Sequence, residues 1–197
     1  MKRKIAIYLF FVAVTCFGYA QNADLIPGTY NYEHSWDYKA PDGNGTIHCD
    51  EEGTLRFYPD GTYKDDAIQY HSLTLKDSVR IKTMKGEWQT IGNWRFDFGY
   101  HCEGRWRVEE GKFLFNEMSE GFSMGSLSSF IWSNWCLEYE DKIRTHSTPN
   151  SNRWFTFDIE RLDDEWFIWS YTYPNGRKDT WEMHRVKPNE AHFGEYK

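Results

Sequence analysis

Three groups of residues in this chain have the types and spacing that chemistry asks for. The first is Gly121-Phe122-Ser123-Met124-Gly125, a Gly-x-Ser-x-Gly match. That pattern makes a nucleophile when a strained strand-to-helix turn lifts the serine above a parallel sheet. His184 and either Asp163 or Asp179 would have to act as its partners. No parallel sheet is expected here, and a stretch rich in Ser and Gly meets such a pattern by chance. No catalytic residue is therefore assigned. The second group is the pair of dipeptides His48-Cys49 and His101-Cys102. On neighbouring strands the two thiols could face each other while both imidazoles turn away. A Cys49–Cys102 disulfide is one expectation and buried free thiols are the other; Cys136 leaves an odd cysteine in either case. Neither His-Glu-x-x-His nor Cys-x-x-Cys spacing occurs, so no metal site and no cofactor are assigned. The third group is the acidic pairs Asp65-Asp66, Glu109-Glu110 and Asp163-Asp164. Paired carboxylates can hydrolyse glycosides, but only at a separation that chain order does not set. The last two pairs fall in expected turns, and all three are read as solvated.

The elements that must position these groups are strands. Trp154 to Val186 reads as three strands joined by two tight turns. With a three-residue loop at 163–165, Phe155, Phe157 and Ile159 face Tyr173, Tyr171 and Trp169. With a Pro174-Asn175-Gly176 loop, Trp169 and Phe167 face Trp181 and Met183. A slip of one residue would mix these side chains with Asp158, Glu160 and Glu182, so the apolar face selects the register. Proline pre-sets the turn and glycine takes the left-handed position that closes it. Pro59-Asp60-Gly61 repeats that chemistry and sets Phe57 opposite Tyr63. At Glu110-Gly111 a two-residue turn sets Val108 opposite Phe113 and Trp106 opposite Phe115.

Elsewhere the pattern is broken. Thr46 to Asp50 and Thr54 to Tyr58 read as two strand pieces interrupted by Asp50-Glu51-Glu52-Gly53. Thr62 to Leu75 is polar and less regular, and Val79 to Met84 is a modest strand. Trp88 to Tyr100 alternates, with Trp88, Thr90, Trp94, Phe96, Phe98 and Tyr100 on one face; Gly92-Asn93 is a bulge or a hairpin tip. Glu117 to Ser133 is the least strand-like stretch and suits a loop, a short helix or a lid. Trp135 to Thr145 reads as a strand, and the tail past Val186 as loose. The sum is an all-β, antiparallel up-and-down β-barrel of about eight to ten strands.

Composition bounds the function. Residues 1–20 read as a signal peptide: Lys2, Arg3 and Lys4, an apolar run to Val14, and a Gly18-Tyr19-Ala20 cleavage context. Ala13-Val14-Thr15 is a poor lipobox, which argues against a lipid anchor at Cys16. The chain is therefore expected to be exported to the periplasm, cell surface or medium. Residues 21–197 then form a single domain with 20 Lys and Arg against 30 Asp and Glu. That balance argues against nucleic-acid binding, and no transmembrane helix is expected in the mature chain. Aromatic residues make up 19%, and the ten Trp exceed what packing alone requires.

Several short motifs together carry a family resemblance. Gly28-Thr29-Tyr30, the run from Gly53 to Tyr63, Gly104-Arg105-Trp106, FDIERLDDEWFIW and the closing Trp181…Arg185 resemble the secreted bacterial lipocalin-like domains. The wider lipocalin group sets a first-strand tryptophan under a last-strand arginine. Here Tyr30 takes the tryptophan's place, and Arg185 is the expected cation–π partner. The resemblance implies an open-mouthed barrel that carries a small apolar ligand, and it brings no catalytic residues. Trp94, Phe96, Phe98, Trp106, Phe155, Phe157, Trp169 and Trp181 are the candidates for lining its interior; a solid aromatic core is the alternative. A surface glycan-binding module would instead use Trp132, Trp135, Trp154 and Trp166. An esterase using Ser123 and a structural accessory protein complete the readings.

Overall fold

The computed structural model describes residues 23–124, 138–139, 141–142 and 154–193. The expected signal peptide, Cys16, Cys136, Trp132 and Trp135 lie outside these residues. Eight strands follow in order: β1 (Gly28–Lys39), β2 (Gly45–Phe57), β3 (Thr62–Lys82), β4 (Trp88–Glu109), β5 (Lys112–Met124), β6 (Trp154–Leu162), β7 (Trp166–Thr172) and β8 (Lys178–Val186). Each pairs antiparallel with the next and β8 returns to β1, closing an up-and-down barrel.

The turns set this arrangement. At Pro59-Asp60-Gly61 and Pro174-Asn175-Gly176 the closing glycines have φ of 82°, and Phe57 faces Tyr63 while Trp169 faces Trp181. Met84-Lys85-Gly86 makes the same loop without proline; Gly86 has φ of 84°, and Thr83 N–H reaches Glu87 O at 2.8 Å. Glu110 and Gly111, at φ of 50° and 75°, form the two-residue turn, with Val108 opposite Phe113. The β6–β7 register agrees with the aromatic pattern at Ile159 opposite Trp169, but slips by one residue before Arg161. A bulge at Glu160 absorbs that slip.

Several expectations are corrected. Asp50-Glu51-Glu52 does not interrupt a strand; it lies within β2. Thr62 to Lys82 is one strand, irregular between Thr74 and Val79, and Gly92-Asn93 lies inside β4 rather than at a hairpin tip. The stretch from Glu117 to Met124 continues β5, held by pairing to β4. Residues 138, 139, 141 and 142 are helical, not extended. The C-terminal tail is docked through residue 193: His192 N–H reaches Asn31 Oδ1 at 3.1 Å and Phe193 N–H reaches Thr54 Oγ1 at 3.2 Å.

Side chains facing inward form two apolar clusters. One fills the closed end, around Tyr30, Phe57, Phe113, Phe167, Trp169 and Met183, with Ile26 beneath them. Arg185 seals that end: its guanidinium lies 4.8 Å from the Tyr30 ring centroid and donates to the carbonyls of Pro27 and Leu25. The other cluster, with Ile47, Leu73, Trp94, Phe96 and Phe98, lies where β3 and β4 outrun the shorter strands. Tyr139 covers it and bonds Asp42 at 3.2 Å.

Candidate functional site

Between the two clusters the barrel is hollow. The cavity has a volume of about 760 Å³ and draws lining from β1 through β8. Pairing between β1 and β8 is recorded only over Thr29–Tyr32, so above Tyr32 the seam parts and the cavity reaches the surface. His34 bridges that parting, stacked 5.5 Å from Trp36 and 4.8 Å from Trp181. Burial holds the His34 imidazole below its ordinary value, which favours the neutral ring in the stack.

The floor is aromatic. Phe57, Phe115, Phe157, Trp169 and Trp181 line it. Phe115 and Phe157 stack at 5.2 Å, and Phe157 meets the Trp181 ring edge-on at 5.5 Å. Such contacts fix ring orientation beyond what area burial supplies.

Above the floor is a belt of polar groups on the same inward positions. Tyr32 Oη donates to both Asp65 oxygens, at 3.0 and 3.1 Å. Gln69 Nε2 donates to Glu51 Oε1 at 3.1 Å. Glu117 also lines the cavity, and no hydrogen bond or ion pair to it is recorded among the described residues. Burial pushes all three carboxyls up, and repulsion from the neighbouring carboxyls adds to this for Glu51 and Asp65: Glu51 rises to about 7, Asp65 goes well above the usual carboxylate range, and Glu117 is raised. Cys102 stands beside them, 3.5 Å from Tyr63 Oη, and burial raises its thiol to about 12. His71 lines the cavity further along β3, 3% exposed and stacked parallel to Phe96 at 4.8 Å. Its Nδ1 is buried without a hydrogen-bond partner among the described residues, and burial lowers the ring to about 4.

Of the eight candidate lining residues, Phe157, Trp169 and Trp181 face the cavity. Trp94, Phe96 and Phe98 belong to the upper cluster. Trp106 and Phe155 pack against the lower one, with Trp106 Nε1 donating to Tyr58 O at 3.1 Å. Cys49 and Cys102 are both free and buried. They do not face each other because β3 stands between their strands: Cys49 pairs with His71 and Cys102 with Asp65. Ser123 lies within β5, opposite Gly99, and not on a strand-to-helix turn. Among the tryptophans proposed for glycans, Trp154 carries Arg107 at 4.0 Å over its ring, and Trp166 packs against His184 at 4.9 Å.

The acidic belt is what sequence reasoning missed, and reading Asp65-Asp66 as solvated is corrected. Asp65 points into the barrel; Asp66 is buried on the other face, 2.7 Å from both Arg56 Nη1 and His101 Nδ1. Neighbours in a strand take opposite faces, so an acidic pair inside β3 must send one carboxyl inward. Gly53 carries a related signal: a Cβ there would run into the Tyr32 ring, which crosses over the glycine to reach Asp65. No protein-family model and no curated relative matches the chain.

Proposed function

We propose that this is an exported, lipocalin-like binding protein that holds one small molecule with an apolar or aromatic body inside the barrel. The observation that carries the reading is the 760 Å³ cavity, floored by packed rings and open at the β1–β8 seam. Its volume suits a single small ligand, and its mix of aromatic wall and a few placed polar groups is what such sites use. The Tyr30–Arg185 contact at the closed end supports the lipocalin-like reading. Residues 1–20 support export through their basic start and apolar run.

Nile red, a neutral dye that brightens in apolar surroundings, tests this. The full chain is expected to take it up at one site, and Leu55→Trp, at a buried position on the cavity wall, is expected to expel it. Native mass spectrometry of the purified protein should show one co-purifying small molecule per chain. No dye uptake, or uptake unchanged by Leu55→Trp, would end the carrier reading.

A further inference from the structure

The polar belt narrows the class of ligand. We infer that the cavity selects a small organic cation, an amine whose aromatic or apolar body rests on the ring floor while its ammonium group lies among Glu51, Asp65 and Glu117. This rests on the carrier reading above and assigns the chemistry of its ligand.

Four observations carry it. Glu51, Asp65 and Glu117 line one cavity, and no ion pair joins any of these three to a basic side chain among the described residues. Buried carboxylates ordinarily find a cation or give up their charge. Two basic residues line the cavity, Lys39 and Arg177: Lys39 is exposed, and Arg177 bonds Asp179 at 2.9 Å and lies 4.1 Å over the Tyr173 ring. A bound ammonium would supply the charge that the fold withholds.

His71 adds an independent sign of a ligand. Its Nδ1 is buried and, among the described residues, unpartnered on the same cavity wall, two residues along β3 from the Gln69 that holds Glu51. An unsatisfied buried nitrogen is rare enough in a folded chain to mark a place that a ligand completes.

The disposition of the carboxyls speaks to the size of the cation. Among the described residues, no group of three His, Cys, Asp or Glu is disposed around one metal ion. The aromatic floor below the belt accepts the apolar body of an organic cation. Trp181 and Phe157 line the same space, and a cation gains from the face of such a ring.

Three probes of one shape and different charge test the inference: phenethylamine, phenethyl alcohol and hydrocinnamate. Each is titrated by calorimetry into the full chain, stripped of co-purifying molecules, at about pH 8, where the amine is charged. The amine is expected to bind at least about tenfold more tightly than the alcohol, and the carboxylate not to bind. In the triple variant Glu51→Gln, Asp65→Asn and Glu117→Gln, the advantage of the amine should vanish while Nile red uptake persists. Equal or tighter binding of the alcohol or the carboxylate overturns the amine assignment and leaves the carrier reading intact. An amine preference that survives the triple variant also overturns it, since the charge is then read elsewhere. Failure of Nile red and all three probes alike removes the carrier reading, and the inference falls with it.

Discussion

The closed end of the barrel and the belt above it are built from the same strands and opposite chemistry. On β5, successive inward positions read Phe113, Phe115 and Glu117; on β3, Tyr63 is followed by Asp65; on β2, Phe57 and Leu55 lead to Gly53 and Glu51. Each strand thus passes from dry packing to half-buried acid within one to three inward steps. The lower region holds rings at contact distance, such as Phe113 and Trp169 stacked at 4.7 Å. The upper region holds half-buried carboxyls that no cation pairs among the described residues. The first arrangement stabilises the fold, and the second spends part of that stability, which is the usual mark of a site kept for binding.

The sharpest way to break the contrast is at the base. Phe113 is fully buried and touches Phe57, Phe167 and Trp169. Phe113→Ala is expected to cost about 3–5 kcal/mol, read as a lower urea midpoint with the slope unchanged. A loss below about 1 kcal/mol would mean that the base is not the packed region described.

In the belt the sign should reverse. The ordinary Glu51 value of 4.5 rises to about 7 in the folded chain. The folded state therefore holds that proton more tightly than the unfolded one. The stability linked to it is whole below pH 4.5 and is lost as pH rises through 7. Glu51→Gln keeps the acceptor for Gln69 and removes the ionisation, so the variant should be more stable than the parent above neutral pH. The gain is at most about 3 kcal/mol. His71 acts in the opposite sense: its folded value of about 4 lies below the ordinary 6.5, so its contribution is lost as pH falls through that window. The quantity to follow is accordingly variant minus parent, from acid to about pH 8. A difference that does not grow with pH would refute the buried-acid account.

A smaller effect is expected where the two regions meet. Gly53→Ala puts a methyl group against the Tyr32 ring and should push its hydroxyl away from Asp65. Overpacking of this kind costs about 1–3 kcal/mol, and the amine should lose affinity with it. Unchanged affinity would separate Tyr32 from the site.

The base was legible in the sequence and the belt was not, for physical reasons. Turn chemistry at Pro59-Asp60-Gly61, Glu110-Gly111 and Pro174-Asn175-Gly176 sets registers, and registers force Phe57, Phe113 and Trp169 inward. Burial of rings then follows from the hydrophobic effect alone. Glu51 and Asp65 obey the same two-residue period, but a carboxyl ordinarily goes to water, so an acidic run reads as a break. Following the period through Ile47, Cys49, Glu51, Gly53 and Leu55 would have found Glu51 inside. The upper cluster was misjudged for another reason. Strand lengths are not encoded by alternation, and only the excess length of β3 and β4 takes Trp94 and Phe96 out of the cavity and under Tyr139.

The smallest effect belongs outside both regions. On the barrel's outer face Arg107 lies 4.0 Å over the Trp154 ring and bonds Glu109 at 2.9 Å. Half-exposed cation–π pairs of this kind contribute about 0.5–1 kcal/mol, and a surface ion pair adds little to that. Arg107→Gln should therefore shift the urea midpoint slightly and leave Nile red and phenethylamine binding as they were. The variant also uncovers the Trp154 face, so it gives the glycan-binding alternative its best opportunity. Oligosaccharide that changes the tryptophan fluorescence of this variant, and of the parent more weakly, would move the binding surface from the interior to the outer wall. Silence from both chains keeps it inside, where the rings and the acids meet.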